Sequence, residues 1–284
     1  MLHCRLHQSK NKRVRESFFF YAGVMYTAWL TGRKPQILSS SKRTVLDKAF
    51  DLDIERQRDN KNCPVKTFNT NVVYGYNERI ELLRNVKPNV SVLLLGNLFS
   101  WKYTQPIEDQ LRRKLQFRRE LTEFAETFLS ANVPRGWNAS TFVRVGVHVR
   151  RGDFLTDRAV RKGFTVASAE YLKEAMTYFV KGYAQVQFVV TSIDIDWCRN
   201  NINPSSFDQT RVNITFSVGH SAEEDLTLLA KCDHVVITTG TFGWWAAWFA
   251  NGTTVYYKEY TKHQSRMWRR SRAADCFPPT WIGM

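Results

Sequence analysis

The chain has 284 residues, 43% of them hydrophobic, 14% aromatic and 24% charged, so it can bury a sizeable core and is neither a disordered chain nor a small disulfide-stapled scaffold. Its net charge is +15, with +11 over residues 1–140 and +4 over residues 141–284, which favours an anionic partner such as nucleic acid, an anionic membrane surface or a phosphate-bearing substrate. No apolar run reaches the roughly 18 residues of a membrane span, and the basic N-terminus carries no apolar signal-peptide segment.

The N-terminal half is the less regular. No apolar first strand opens it. A buried helix is expected from Phe18 to Gly32, closed by Gly32 with Pro35 just beyond. A short strand follows at Val92 to Leu95, then one long basic amphipathic helix from Asp109 to Leu129. The turn-rich stretch from Pro134 to Ser140 is the expected boundary between an N-terminal lobe, 1–140, and a C-terminal lobe, 141–284. Beyond it strands and helices alternate. Val143 to Val149 reads as a strand, and Ser168 to Tyr183 as a helix with Leu172, Ala175, Met176 and Phe179 on one face and Ser168 as its cap. Val186 to Thr191 is a near-continuous apolar run, as in a buried parallel strand. A short helix at Ser192 to Asn200 and a strand at Arg211 to Phe216 come next. Ser221 and Glu224 form a capping box opening a helix through Leu226, Leu229 and Ala230. A strand at His234 to Thr239, a helix at Phe242 to Ala250 and a last strand at Thr253 to Tyr257 complete an α/β pattern. It predicts a doubly wound, Rossmann-like parallel sheet, which takes its ligand at the carboxyl ends of its strands.

Three segments carry the chemistry. In His148-Val-Arg150-Arg151-Gly-Asp153, two guanidiniums at a strand end offer forked, permanently charged donors suited to a diphosphate, and Asp153 can orient an arginine or a turn. Thr238-Thr239-Gly240-Thr241-Phe242-Gly243 is a strand, a glycine turn and a helix start, where free backbone N–H groups and threonine hydroxyls make an anion site and both glycines would let a phosphate approach. It is neither a Walker loop nor G-x-G-x-x-G. In Ser192-Ile193-Asp194-Ile195-Asp196 the two acids could bind a metal, favour a helix N-terminus or read a nucleotide base. His220 and His234 read as structural histidines, and no Ser/His/Asp or Cys/His arrangement stands out. The five cysteines have no C-x-x-C spacing, so no zinc site is expected. Asn-x-Ser/Thr sequons at Asn89, Asn138, Asn213 and Asn251 favour a secretory lumen, and with no targeting segment a truncated N-terminus is expected.

Taken together, these segments resemble the alpha-1,2-fucosyltransferases of glycosyltransferase family 11 over roughly residues 18 to 260. The stretch His148 to Asp153 looks like the family's His-x-Arg-Arg-x-Asp motif. Phe188 to Ser192 through Trp197-Cys198 looks like its second motif, and Asp225 to His234 through Thr239 to Ala247 like its third. The resemblance implies a two-lobed GT-B-like fold, with the N-terminal lobe on the acceptor side and the C-terminal lobe holding the GDP-sugar. It further implies GDP-fucose as donor substrate, a beta-galactoside acceptor, inversion, neither metal nor other cofactor, and lumenal residence at the Golgi membrane. Arg150 and Arg151 are then the catalytic candidates. His148, Asp153, Ser192, Asp194, Thr239, Gly240 and Thr241 are the donor-binding candidates, His148 and Asp194 for ribose or guanine. Position 193, usually Asp in the family's second motif, is Ile. In the family's N-terminal Gly-Arg-x-Gly-Asn loop, matched by Lys12 to Ala22, Arg13, Phe19, Tyr21 and Ala22 fit, whereas both glycines and the Asn are replaced. The alternative is therefore a catalytically inactive relative that binds a glycan or nucleotide. Nucleic acid is not an expected partner, because no binding motif accompanies the charge.

Overall fold

The computed structural model describes residues 3–6, 17–38, 45–52, 55–57, 64–70, 72, 74–138 and 141–284. The expected donor-loop stretch at 12–16 lies outside them. Two compact units divide the chain: Met1–Gln116 with Arg270–Pro278, and Phe117–Arg269 with Pro279–Met284. The division thus comes at Gln116, and the turns at 134–138 lie inside the second unit rather than at its border.

The first unit holds a five-stranded sheet of order β3-β2-β1-β5-β4. Its strands are β1 (His3–Leu6), β2 (Lys34–Leu38), β3 (Glu55–Gln57), β4 (Val65–Thr70) and β5 (Ser91–Gly96), all paired in parallel. A first strand therefore does open the chain, against expectation, and it lies at the sheet's centre. Four residues reading His-Cys-Arg-Leu have no apolar alternation, and their place comes from backbone pairing on both sides. Helix α1 (Ser17–Thr31) is apolar on all faces and buries Phe19, Tyr21, Ala22, Val24 and Met25. Gly23 lets it close on the core, since a Cβ there would stand 2.3 Å from Leu98 Cδ1. Gly32, at φ +64°, ends it. A short α2 (Val45–Ala49) follows. The returning segment 270–278 is tied to this unit by Lys102–Asp275 at 2.6 Å and by the Ser100 hydroxyl donating to the Asp275 carbonyl at 2.7 Å.

The expected helix from Asp109 to Leu129 is two helices, α3 (Glu108–Lys114) and α4 (Arg119–Ala131), separated by residues 115–118. Leu111 and Leu115 are buried in the first unit, and Leu121, Ala125 and Leu129 in the second. One continuous apolar spacing serves two cores.

The second unit alternates β6 (Phe142–Val149), α5 (Asp157–Lys162), α6 (Ala169–Gly182), β7 (Gln185–Ser192), α7 (Ile195–Asn201), β8 (Val212–Phe216), α8 (Ala222–Ala230), β9 (His234–Ile237), α9 (Thr241–Ala250), β10 (Thr254–Tyr256), α10 (Arg266–Arg269) and β11 (Ile282–Gly283). Its six parallel strands run β8-β7-β6-β9-β10-β11. In chain order this is 3-2-1-4-5-6, the doubly wound Rossmann order, so the α/β fold class read from the sequence holds. The strand at Thr254–Tyr256 is not the last, because the two-residue β11 adds an edge beside it.

The sheet buries both faces. Val145, Val147, Val149, Val186, Phe188 and Val190 meet Leu172, Ala175, Met176 and Phe179 of α6 on one side. On the other, Val189 meets Ala125 and Leu129 of α4 and Leu228 of α8. Each such aliphatic side chain contributes roughly 1.5–3 kcal/mol on burial. Caps fix where the helices begin: Ser168 accepts from Tyr171 N, and Ser221 and Glu224 close the expected capping box. Among the described residues no helix is long and apolar enough to cross a membrane.

Candidate functional site

In a 3-2-1-4-5-6 sheet the winding reverses between the first and fourth strands, here β6 and β9, and the crevice beyond their carboxyl ends receives the ligand. The register sets His148 opposite Thr191 of β7 and Ile237 of β9, so the three segments singled out in the sequence end side by side. Thr238 fastens two of them. Its Oγ1 accepts from Arg150 N at 2.8 Å, and its own N–H donates to the His148 carbonyl at 3.2 Å.

Arg150 lies on the β9 side of the crevice. Its guanidinium pairs with Asp153 and sits 5.4 Å from the Phe154 ring centroid. Its Cγ is the nearest atom, at 3.8 Å, to where a Cβ on Gly240 would stand. The arginine shaft therefore runs past the turn that opens α9. Gly240, the N-cap of the helix behind it, has φ +98° and ψ 162°, a conformation essentially restricted to glycine, and brings no side chain of its own to cap that helix. The turn thus sets the N-terminal backbone of α9 beside a guanidinium, an arrangement that suits an anion. Thr239 is buried next to this turn, and its Oγ1 has no hydrogen-bond partner among the described residues.

Arg151 lies elsewhere. Its Nε donates to Asp194 Oδ2 at 2.9 Å and its guanidinium sits 3.8 Å from the Trp197 ring centroid. Ser192 holds that partner in place: its hydroxyl donates to the Val149 carbonyl at 2.8 Å and accepts from Asp194 N at 3.0 Å. The two arginines are therefore not one fork; each has its own carboxylate, and only Arg150 adjoins the α9 turn. Asp194 and Asp196 do not converge either, since Asp196 is 86% exposed and faces Arg199 at 3.7 Å. Ile193, 69% exposed, covers Gly152, where a Cβ would stand 2.3 Å from Ile193 Cδ1 and where φ is +50°.

His148 is buried, with its ring centroid 5.0 Å from that of Phe242. Burial, and after it the nearby Arg150 charge, push its pKa down to about 3, so the imidazole is neutral at physiological pH. Its Nδ1 has no partner among the described residues. A Cβ on Gly243 would stand 2.6 Å from that nitrogen. Gly243 thus makes room for the imidazole and not, as expected, for a phosphate.

A Ser/His/Asp group absent from the sequence reading closes the carboxyl end of β8. Ser217 Oγ lies 2.7 Å from His220 Nδ1 and donates to Asp225 Oδ1 at 2.6 Å. Burial pushes Asp225 up to about 6. Ser217 is the middle member and gives its proton to the acid, so this is no nucleophile triad. His220 packs 4.8 Å from Phe124 and 5.3 Å from Phe128, ring centre to ring centre. Sequence reasoning placed Thr238 in the anion-binding turn and Trp197 in the second motif, but gave neither its observed partner. Thr238 could have been found as the residue at the β9 carboxyl end, whereas nothing local marks Trp197 as a partner for Arg151.

Residues 6–284 match the model of the family described as Glycosyl transferase family 11. The chain belongs to glycosyltransferase family 11. It is 35% identical over 215 residues to galactoside alpha-(1,2)-fucosyltransferase 2 of Sus scrofa, covering 74% of this chain and 61% of that protein. It is 34% identical over 214 residues to galactoside 2-alpha-L-fucosyltransferase SEC1 of Bos taurus, covering 74% and 56%. The chain thus spans little more than half the length of these curated relatives. Among solved structures, FUT1 of Arabidopsis thaliana, in complex with GDP, matches with a TM-score of 0.56 at 12% identity over 90% of this chain and 71% of that one. POFUT1 in complex with GDP matches with a TM-score of 0.51 at 11% identity over 90% and 98%. At such identity the likeness is one of fold.

Proposed function

We propose that the protein transfers L-fucose from GDP-fucose to a galactose hydroxyl in alpha-1,2 linkage, with inversion and without a metal ion, the donor lying at the carboxyl end of the second unit's sheet. Membership of the family supports the chemistry. The observation that carries the assignment is the Arg150 N to Thr238 Oγ1 bond, which sets a guanidinium against the glycine turn that opens α9 at the winding reversal. The acceptor oxygen attacks the fucose anomeric carbon, the bond to the diphosphate oxygen breaks, and its electron pair leaves with GDP. Arg150 and the Thr239–Thr241 turn meet that charge as it develops. The acceptor hydroxyl gives its proton to a general base, expected to be a carboxylate. Arg151, Ser192 and Asp194 shape the β7 side of the crevice, Asp153 aims Arg150, and neutral His148, its Nδ1 buried against Gly243, supports the first turn of α9 from beneath instead of contacting ribose or guanine. Lumenal residence at the Golgi membrane belongs to the same reading, and the four sequons fit it.

The test is incubation with GDP-fucose and a beta-galactoside, with and without chelator, followed by assignment of the linkage in the product. Chelator-insensitive formation of an alpha-1,2 fucoside is the expected result. GDP binding without turnover would mark an inactive binding protein, and chelator-sensitive transfer would refute the metal-free site.

A further inference from the structure

Two segments of the second unit that play no part above are joined beside the candidate site. Lys262 N donates to the Gly163 carbonyl at 2.8 Å, Phe164 bridges Thr261, and a Cβ on Gly163, at φ +93°, would stand 2.1 Å from Ser265. This fixes α5 against the stretch leading into α10. The join is one aromatic layer from the proposed diphosphate site: Arg150 lies over Phe154, whose ring centroid is 4.8 Å from that of Phe164.

The joined surface is strongly cationic. Arg158, Arg161 and Lys162 of α5 and Lys262, Arg266 and Arg269 of the other segment are all exposed. None has an ion-pair partner among the described residues, although Arg112, Arg119, Lys231 and Arg199 in the same chain each have a neighbouring carboxylate. Across residues 155–165 and 261–269 the single acid is Asp157. Six positive charges against one acid repel one another and lower stability, a cost that a bound polyanion reduces. Between Arg266 and Arg269 in the chain stands Trp268, 44% exposed, with its ring 4.5 Å from that of His263. An exposed indole on a segment rich in forked cations suits a saccharide, whose C–H face covers the indole while its anionic groups meet guanidinium donors.

We infer that this surface binds an acidic oligosaccharide, one carrying sulfate esters or carboxylates, and so holds the flanking part of the acceptor next to the donor site. The word acceptor rests on the fucosyl-transfer reading; the binding does not. A neutral acceptor would leave the charges unmet. A nucleic acid would be expected to meet a stacking series rather than one tryptophan.

The experiment uses the full chain and its R158E/R161E and W268A variants, none of them in the proposed donor site. Calorimetry measures binding of a sulfated, a sialylated and an unsulfated beta-galactoside oligosaccharide, with phosphatidylserine vesicles and single-stranded DNA as competitors. Expected are binding of an acidic saccharide at least about tenfold tighter than of the neutral one, loss of that margin in R158E/R161E, and its weakening with salt. W268A should weaken acidic and neutral saccharides alike. The sulfated and sialylated arms decide which anion is preferred. Equal affinity for charged and neutral saccharides, an unchanged R158E/R161E variant, or displacement by vesicles or DNA would overturn the inference. In parallel, transfer to the neutral galactoside should be the same in wild type and R158E/R161E. Absence of all transfer with the acidic preference intact would refute the enzymatic reading and leave the binding site standing.

Discussion

Replacing Gly243 by Ala tests how tightly α9 is seated on His148. The residue lies near the start of α9 with an ordinary φ, so helix propensity alone favours alanine by roughly 0.5–1 kcal/mol. The space is already taken. The new Cβ would stand 2.6 Å from His148 Nδ1, 3.3 Å from its Cγ and 3.2 Å from Ile237 Cγ2, where ordinary contacts begin near 3.4 Å. The imidazole cannot yield easily because Phe242 packs against it with ring centroids 5.0 Å apart. Overpacking of this kind costs about 1–3 kcal/mol, so the net loss is about 0–2.5 kcal/mol, a fall in Tm of a few degrees for a unit of this size. The first turn of α9 must shift to relieve the contact, and it is the turn proposed to hold the diphosphate. A displacement near 1 Å can cost on the order of 100-fold in rate. Calorimetric Tm, GDP affinity and kcat should therefore all fall, and adding His148→Ala, which empties the space, should restore part of the Tm. A G243A protein that melts higher than wild type and binds GDP equally well would refute the reasoning.

Gly240→Ala should act differently. No atom comes closer than 3.8 Å, but φ +98° costs a non-glycine residue about 1–3 kcal/mol, so the turn should rearrange and GDP binding weaken without a steric clash. Acid should act through His148: its folded pKa of about 3 lies below the ordinary 6.5, so the unfolded chain takes the proton first. The stability it contributes is whole above 6.5 and is lost as the pH falls from there towards 3, and H148Q should flatten that limb in denaturant melts. Asp194→Asn removes the partner of Arg151 in a pair whose side chains are 15% and 35% exposed. Discounted for solvent, the loss should be about 1 kcal/mol, read as a lower denaturant midpoint, with GDP affinity changed far less than by any change at Arg150.

The second unit was legible because its chemistry is local. Val186 to Val190 forms one apolar run as a doubly covered parallel strand must, α6 shows its buried stripe at Leu172, Ala175, Met176 and Phe179, and Ser168 and Ser221 announce their helices. The first unit was not. Neither His3–Leu6 nor Glu55–Gln57 carries an apolar pattern, and a strand of such residues is specified by its neighbours' backbones, as is the two-residue β11. The break after Lys114 is hidden because Leu115 continues the spacing of Leu111 while the two helices serve different cores. At the site, the residue types were readable and their partners were not. That Arg150 turns to Asp153 and Arg151 to Asp194 depends on which side of β6 each faces, and Asp194 belongs to the next strand's end. Gly243 likewise reads in sequence as a phosphate glycine, and only the packing of the imidazole beneath it gives its use.

Arg150 is the centre of the proposed donor site, its backbone anchored by Thr238 and its guanidinium aimed by Asp153. The decisive measurement is kcat for fucosyl transfer by Arg150→Ala alongside its thermal melt. Removing one donor to a developing oxyanion costs about 2.7–4 kcal/mol of barrier, whereas the pair it breaks is partly exposed and contributes roughly 1 kcal/mol or less to stability. The prediction is a 100- to 1,000-fold fall, on the order of one lost oxyanion donor, in a protein that still melts within a few degrees of wild type. A folded R150A protein that turns over at close to the wild-type rate would contradict it.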